Sequence, residues 1–194
     1  MVTLMEDQFD ITQLGELVPK NKKILFFCIG TPKSKGDAIG PLVGSYLKRN
    51  GCKVYGTIKN PITALNIESK ITYVKKKYPN HFIIAIDATI WIGTNEQMKD
   101  KVLVEKTPIY AGAGVGKEIS PIGDLSIKAV TVVAKKGVTN EQIIAALNEK
   151  PLEEVIIIKN LIAKECLKFI STYKKKNELK DYITNIVKKY RVSF

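Results

Sequence analysis

The sequence predicts an α/β protein, a three-layer α/β/α sandwich with a mostly parallel central sheet, on three observations. Residues 22–29, a continuous apolar run behind two lysines, and 81–86 show no alternation, as expected of strands buried on both faces of a parallel sheet. Segments with helical spacing of apolar residues lie between and after them. The separating stretches are rich in Gly, Pro, Ser and Thr and are too long for hairpin turns.

The elements follow in order. The run 22–29, Lys-Lys-Ile-Leu-Phe-Phe-Cys-Ile, is the first central strand, and the turn 30–36 leads into a helix over 37–50 that ends at Gly51. Pro41 sits in the first turn of that helix, where a missing amide hydrogen is tolerated, and Asp37 lies at its start. Residues 53–58 form a short strand. A helix over 66–78 has Asn66 as its candidate cap and Pro79 as its stop. The second buried strand, 81–86, delivers Asp87 at its carboxyl end. A Gly-rich loop spans 108–124, followed by a strand over 125–134 and a helix over 140–148. Apolar residues at 155, 158, 162, 166 and 169 mark a packing helix, and 177–190 a final amphipathic one with Leu179, Tyr182, Ile183, Ile186 and Val187 on its apolar side. No repeat or linker divides the chain, so residues 1–194 are expected to form one domain, with 1–20 an N-terminal extension and 150–194 C-terminal helices packed on the same body.

Composition narrows the class without naming a function. A hydrophobic share of 45% and a charged share of 26% are those of an ordinary globular protein. The longest apolar runs fall short of the roughly 20 residues that cross a bilayer, so no membrane partner is expected. Residues 1–20 carry four acidic side chains and one lysine, unlike a secretory signal, and a cytoplasmic location is expected. Cys28, Cys52 and Cys166 are odd in number and set in apolar surroundings, as buried reduced thiols would be. The net charge of +12 invites a nucleic-acid or acidic partner. The lysines fall on presumed solvated helix faces, without zinc-finger spacing, a recognition helix or an RNA-type aromatic cluster, so nucleic acid is not the expected partner.

In open parallel sheets ligands bind beyond the carboxyl ends of the strands, where both Asp37 and Asp87 are expected. Two carboxylates brought close repel, so one keeps its proton where the other is ionised, and the pair offers a general base and a general acid. The plainer alternative makes Asp37 a helix cap and Asp87 a turn residue. Thr31, Ser34 and Lys35 share the first strand-to-helix turn, but an acidic residue at the helix start argues against a phosphate cradle. The segment 111–117, Ala-Gly-Ala-Gly-Val-Gly-Lys, lacks the first glycine of a phosphate-binding loop, and Glu118 stands where Ser or Thr is needed. Its glycines at 112, 114 and 116 also miss the dinucleotide spacing. Gly112, Gly114 and Gly116 suit instead the close approach of backbone amides to an extended peptide or a developing oxyanion, beside Lys117. His81, the lone histidine, precedes its strand and lies at the end opposite Asp87, so Ser-His-Asp and Cys-His arrangements are excluded.

Residues 28–44 (Cys-Ile-Gly-Thr-Pro-Lys-Ser-Lys-Gly-Asp-Ala-Ile-Gly-Pro-Leu-Val-Gly), 86–88 (Ile-Asp-Ala) and 112–117 resemble the YyaC-like sporulation proteins, spoken of as spore proteases. Residues 54–57 (Val-Tyr-Gly-Thr) and 122–127 (Ile-Gly-Asp-Leu-Ser-Ile) add to a likeness that runs from about 22 to 133. That family is similar in turn to the germination protease of spores, whose two functional aspartates sit in comparable contexts, and to hydrogenase maturation proteases. The resemblance implies a hydrogenase-maturation-protease-like fold and Asp37 and Asp87 as the catalytic pair. Maturation proteases use a later histidine as a third metal ligand, and no histidine follows His81 here, so neither metal nor cofactor is expected.

The expectation is a sporulation-associated endopeptidase, with Asp37 and Asp87 activating water and Gly112, Gly114, Gly116 and Lys117 holding a peptide or protein substrate such as a small acid-soluble spore protein. Its setting would be the forespore or mother cell of a spore-forming bacterium. The alternative is a non-catalytic peptide- or protein-binding module on the same scaffold, and a third reading is association with spore chromatin through the basic surface. The apolar C-terminal helices offer a surface for a homodimer.

Overall fold

The computed structural model describes residues 11–110 and 120–190. Five strands form one sheet in the order β2-β1-β3-β5-β4. They are β1 (Lys23–Cys28), β2 (Val54–Tyr55), β3 (His81–Ile92), β4 (Val102–Glu105) and β5 (Leu125–Ala134). β1 pairs parallel with β2 and β3, and β3 parallel with β5; β4 alone runs antiparallel, against β5. The helices are α1 (Ile11–Leu17), α2 (Ile39–Arg49), α3 (Ile67–Lys77), α4 (Asn140–Glu149) and α5 (Leu152–Tyr190).

Alternation along the buried strands divides the core in two. Phe26, Cys28, Ile84, Ile86, Leu125, Ile127 and Ala129 face α1, α2 and α5, while Leu25, Phe27, Ile29, Ile83 and Ala85 face α3. This is the three-layer α/β/α sandwich the sequence predicts. Each side supplies a helical stripe: Ile39, Val43 and Leu47 from α2, and Val155, Ile158, Ile162, Cys166 and Phe169 from α5 on one; Ile67, Ile71 and Val74 from α3 on the other.

α2 rests directly on the sheet. A Cβ on Gly40 would enter the carbonyl oxygen of Ile29, one on Gly44 that of Gly56, and one on Gly56, where φ is +87°, that of Cys28. Glycines at 40 and 44 share one helix face, so α2 backbone replaces side chains as the contact surface with the ends of β1 and β2.

Several boundaries depart from the sequence reading. The 37–50 helix starts as a 3-10 turn, Gly36–Ala38, and becomes α-helical at Ile39. The second buried strand does not end at Ile86 but continues to Ile92, so Asp87 lies within β3 rather than beyond it. Past Asp87 the register shifts between Thr89 and Ile90, which pair with Val130 and Val132, so Thr131 is the extra residue of a bulge in β5. β4 has only four residues and was not legible beforehand. The two expected C-terminal helices are one, α5, because nothing between 169 and 177 breaks a helix and its 39 residues run on for about 58 Å. Leu179, Tyr182 and Ile183 are exposed on it, so this apolar stripe does not pack on the chain's own core. No helix among the described residues is long and apolar enough to cross a membrane.

The glycine contacts give a direct test. Gly40→Ala should destabilise the fold by about 2–3 kcal/mol or more through overpacking. Gly51→Ala, at positive φ (+77°) but with open space around its Cβ, should cost only about 1 kcal/mol of backbone strain. Urea unfolding midpoints of the two variants would separate the cases.

Candidate functional site

β1 leads through the 3-10 turn and α2 to β2 on one side, whereas β3 leads to β4 and β5 on the other. The boundary between β1 and β3 is therefore the point at which strand order reverses, the place at the carboxyl ends where ligands bind in sheets of this kind. Asp37 reaches it from the 3-10 turn, which packs on both β3 and β5, and Asp87 reaches it from β3.

Asp37 does not cap α2. Its Oδ2 accepts a hydrogen bond from the Thr31 amide at 2.7 Å, closing the turn onto itself, and the residues flanking the helix start make no side-chain cap. Burial pushes its carboxyl up to about 6 from an ordinary 3.8, against the opposing pull of the Thr31 hydrogen bond. Asp87 is raised well above its ordinary value, first by burial and then by the charge of Asp37; the Ala88 amide and Lys128 act the other way. The two carboxylates are thus electrostatically coupled, and both are held above the ordinary carboxylate value.

Lys128 went unnoticed in the sequence because β5 reads as an apolar strand. It is the register partner of Asp87 across the parallel β3–β5 pair. Its Nζ donates to Glu105 Oε2 at 2.7 Å, and Thr107 Oγ1 donates to the same oxygen at 3.1 Å. Burial pushes Glu105 up, but the Lys128 hydrogen bond and charge, with Thr107, more than offset this and hold it below its ordinary value. The signal that could have found the pair is a lone lysine inside an otherwise apolar strand.

The remaining residues singled out in the sequence fall into four groups. Gly112, Gly114, Gly116 and Lys117 lie outside the described residues. The segment is flanked by an antiparallel bridge between Ile109 and Ile122, with Lys75 Nζ donating to Pro121 O at 3.0 Å. Ser34 Oγ, in the same turn as Thr31, is buried without a hydrogen-bond partner. His81 stands at the opposite end of β3 beside a basic cleft of about 410 Å³ lined by Lys22, Lys23, Lys53 and Lys174, with no part in the acidic site. Cys28 and Cys166 are buried, Cys52 is half-buried, and all three are free thiols pushed up by burial.

Among the described residues no group of three or more His, Cys, Asp or Glu side chains is placed to hold a metal ion, and a lysine, not a third donor, stands beside Asp87.

Fold and site define a doubly wound α/β protein with a coupled acidic pair at its topological switch point. The chain belongs to the family described as "Protein of unknown function (DUF1256)", which matches residues 5–165. It is 37% identical over 116 residues to "Uncharacterized protein YyaC" of Bacillus subtilis (strain 168), a match over 58% of this chain and 55% of that protein, so the chain aligns with about half the length of this relative. Two solved structures are similar in shape. The [NiFe] hydrogenase maturation protease HycI from Thermococcus kodakarensis KOD1 has a TM-score of 0.49 at 18% identity, over 82% of this chain and 99% of that one. HybD from Thermococcus kodakarensis, a protein of the same description, has a TM-score of 0.36 at 14% identity, over 72% and 98%. Likenesses of that size say nothing about chemistry.

A carboxyl whose folded value lies above its unfolded one favours the folded state fully below about pH 3.8 and loses that contribution as pH rises through about 6. Asp37→Asn should therefore stabilise the protein at pH 7.5 by on the order of 2 kcal/mol, the partial exposure of the site holding the gain down. The gain should vanish near pH 4, as read by urea unfolding at both pH values.

Proposed function

We propose that the chain is a sporulation-associated endopeptidase in which Asp37 and Asp87 share one proton and activate water for peptide-bond hydrolysis. The observation that supports this reading most is the coupled pair of carboxyls at the switch point, both held above the ordinary carboxylate value by burial, Asp37 at about 6. Near neutral pH such a pair is one base and one acid.

On this reading Asp37, ionised and fixed by the Thr31 amide, takes a proton from water as its oxygen attacks the scissile carbonyl carbon. Asp87 gives its proton to the leaving amine, and the C–N bond breaks as the tetrahedral intermediate collapses. The proton Asp37 gained then returns to Asp87 and resets the pair. The glycines at 112, 114 and 116 and Lys117 are assigned by their sequence to hold the peptide backbone and an acidic substrate group.

The test offers small acid-soluble spore proteins and a mixed peptide library to wild type, Asp37→Asn and Asp87→Asn, with mass-spectrometric detection, in chelator and with added divalent metal. The expected outcome is cleavage by the wild type that chelator leaves intact and that either substitution lowers by at least about 100-fold. Metal-dependent cleavage would replace the dyad mechanism. Absence of cleavage in every arm would leave a peptide- or protein-binding module on this scaffold.

The pH profile is a separate test. kcat/KM should rise with pH through about 6 as Asp37 ionises, and fall again at higher pH where Asp87 loses its proton. A profile flat from pH 5 to 9 would exclude this assignment of roles.

A further inference from the structure

We propose that Lys128, itself restrained by Glu105, is a positioning residue that sets how readily Asp87 gives up its proton. The inference rests on the dyad reading and names a control on it.

The geometry comes from the sheet. Asp87 and Lys128 are paired across β3 and β5 and so project from the same face. Leu103 is paired with Lys128, and Glu105 with Ser126, across β4 and β5. Glu105 is thus the diagonal neighbour of Lys128 on that face, within reach of a long side chain. Three strands thereby line up a carboxyl, an ammonium and a second carboxylate. The row lies where the apolar cover of this face has ended, since Leu25, Phe27, Ile83 and Ala85 lie under α3 and Asp87 is the next β3 residue in that alternation.

A lysine in this strand needs a reason. Ile127 and Ala129 beside it in β5 are fully buried on the opposite face, and the Lys128 side chain is itself three-quarters buried, so its ammonium carries a desolvation cost that an apolar residue would avoid. Among the described residues, those whose charge bears on Asp87 are Asp37 from the 3-10 turn and Lys128 from β5, and the Cys28 thiol at the end of β1 in turn feels the charge of Asp87. Lys128 is the cation of this set. Burial and then Asp37 hold the proton on Asp87, the Ala88 amide and, after it, Lys128 oppose them, and loss of the cation would make Asp87 a weaker acid still. Glu105 draws part of the lysine charge away and Thr107 fixes Glu105, so the row is a graded device.

Two substitutions should act in opposite directions, which a packing role would not produce. Lys128→Met removes the cation and should move the Asp87 titration upward. Glu105→Gln releases the cation toward Asp87 and should move it downward. The readout is NMR of carboxyl-labelled aspartate in full-length wild type and both variants, without substrate, with Lys128→Arg as the variant expected to restore the wild-type position. Amide spectra confirm that each variant is folded; methionine suits the apolar strand, and the arginine and glutamine variants carry the test if it fails to fold. Opposite shifts support the proposal, while an Asp87 titration that stays put in the variants, or shifts in one direction in both, overturns it. Because no turnover is read, loss of the peptidase reading is a separate result: opposite shifts in a protein that cleaves nothing would sustain the electrostatic coupling and remove its catalytic meaning.

Discussion

Backbone of α2 lies against the ends of β1 and β2 with no side chain between them. Gly40 meets Ile29, Gly44 meets Gly56, and Gly56 meets Cys28, all through main-chain atoms. Because this contact is made by backbone, its distance is set by covalent geometry and not by flexible side chains. It also determines where the 3-10 turn before α2 must sit, and hence where Asp37 enters the site. Gly36 continues the pattern: a Cβ there would collide with Leu147 of α4, so a second helix holds the turn from its other side.

Anchoring of this kind makes a costly arrangement tolerable. Two carboxyls at the end of buried strands lose hydration and repel each other, and both effects oppose ionisation. A fold with more freedom would relieve the strain by letting the groups separate. Here the Thr31 hydrogen bond, the glycine contacts and the β3–β5 register leave little room to do so. A site that holds groups in unfavourable protonation states is less stable than its neutral analogue, which is the usual relation between stability and an acid–base centre.

The rest of the molecule divides by the direction of its strands. At the carboxyl end the surroundings are acidic and compact, with one lysine built into the sheet. At the amino end Lys23 of β1, Lys22 and Lys53 just before β1 and β2, and Lys174, Glu178 and Asp181 of α5 line a cleft, together with His81, which burial and the charges of Lys53 and Lys23 hold below its ordinary value. The net charge of +12 therefore does not describe the acidic site.

Much of the architecture was legible because burial on both faces leaves an unbroken apolar run, seen for β1 and the first half of β3, and because a helix facing a core must repeat its apolar residues. Asp37 and Asp87 stood out for the same reason: each closes such a run or the turn after it. Helix starts and strand ends were less legible. The extension of β3 beyond Asp87 is stabilised by pairing with β5 across a bulge, and β4 exists only through its antiparallel contacts with β5, neither of which leaves a local periodicity. By itself the sequence determined the layered class, the parallel core and the two aspartates, since hydrophobic pattern and turn chemistry are local properties. Only the tertiary structure decided that Lys128 stands beside Asp87 and Glu105 behind Lys128, since strand order and register join residues far apart in the chain through backbone hydrogen bonds that no single segment encodes.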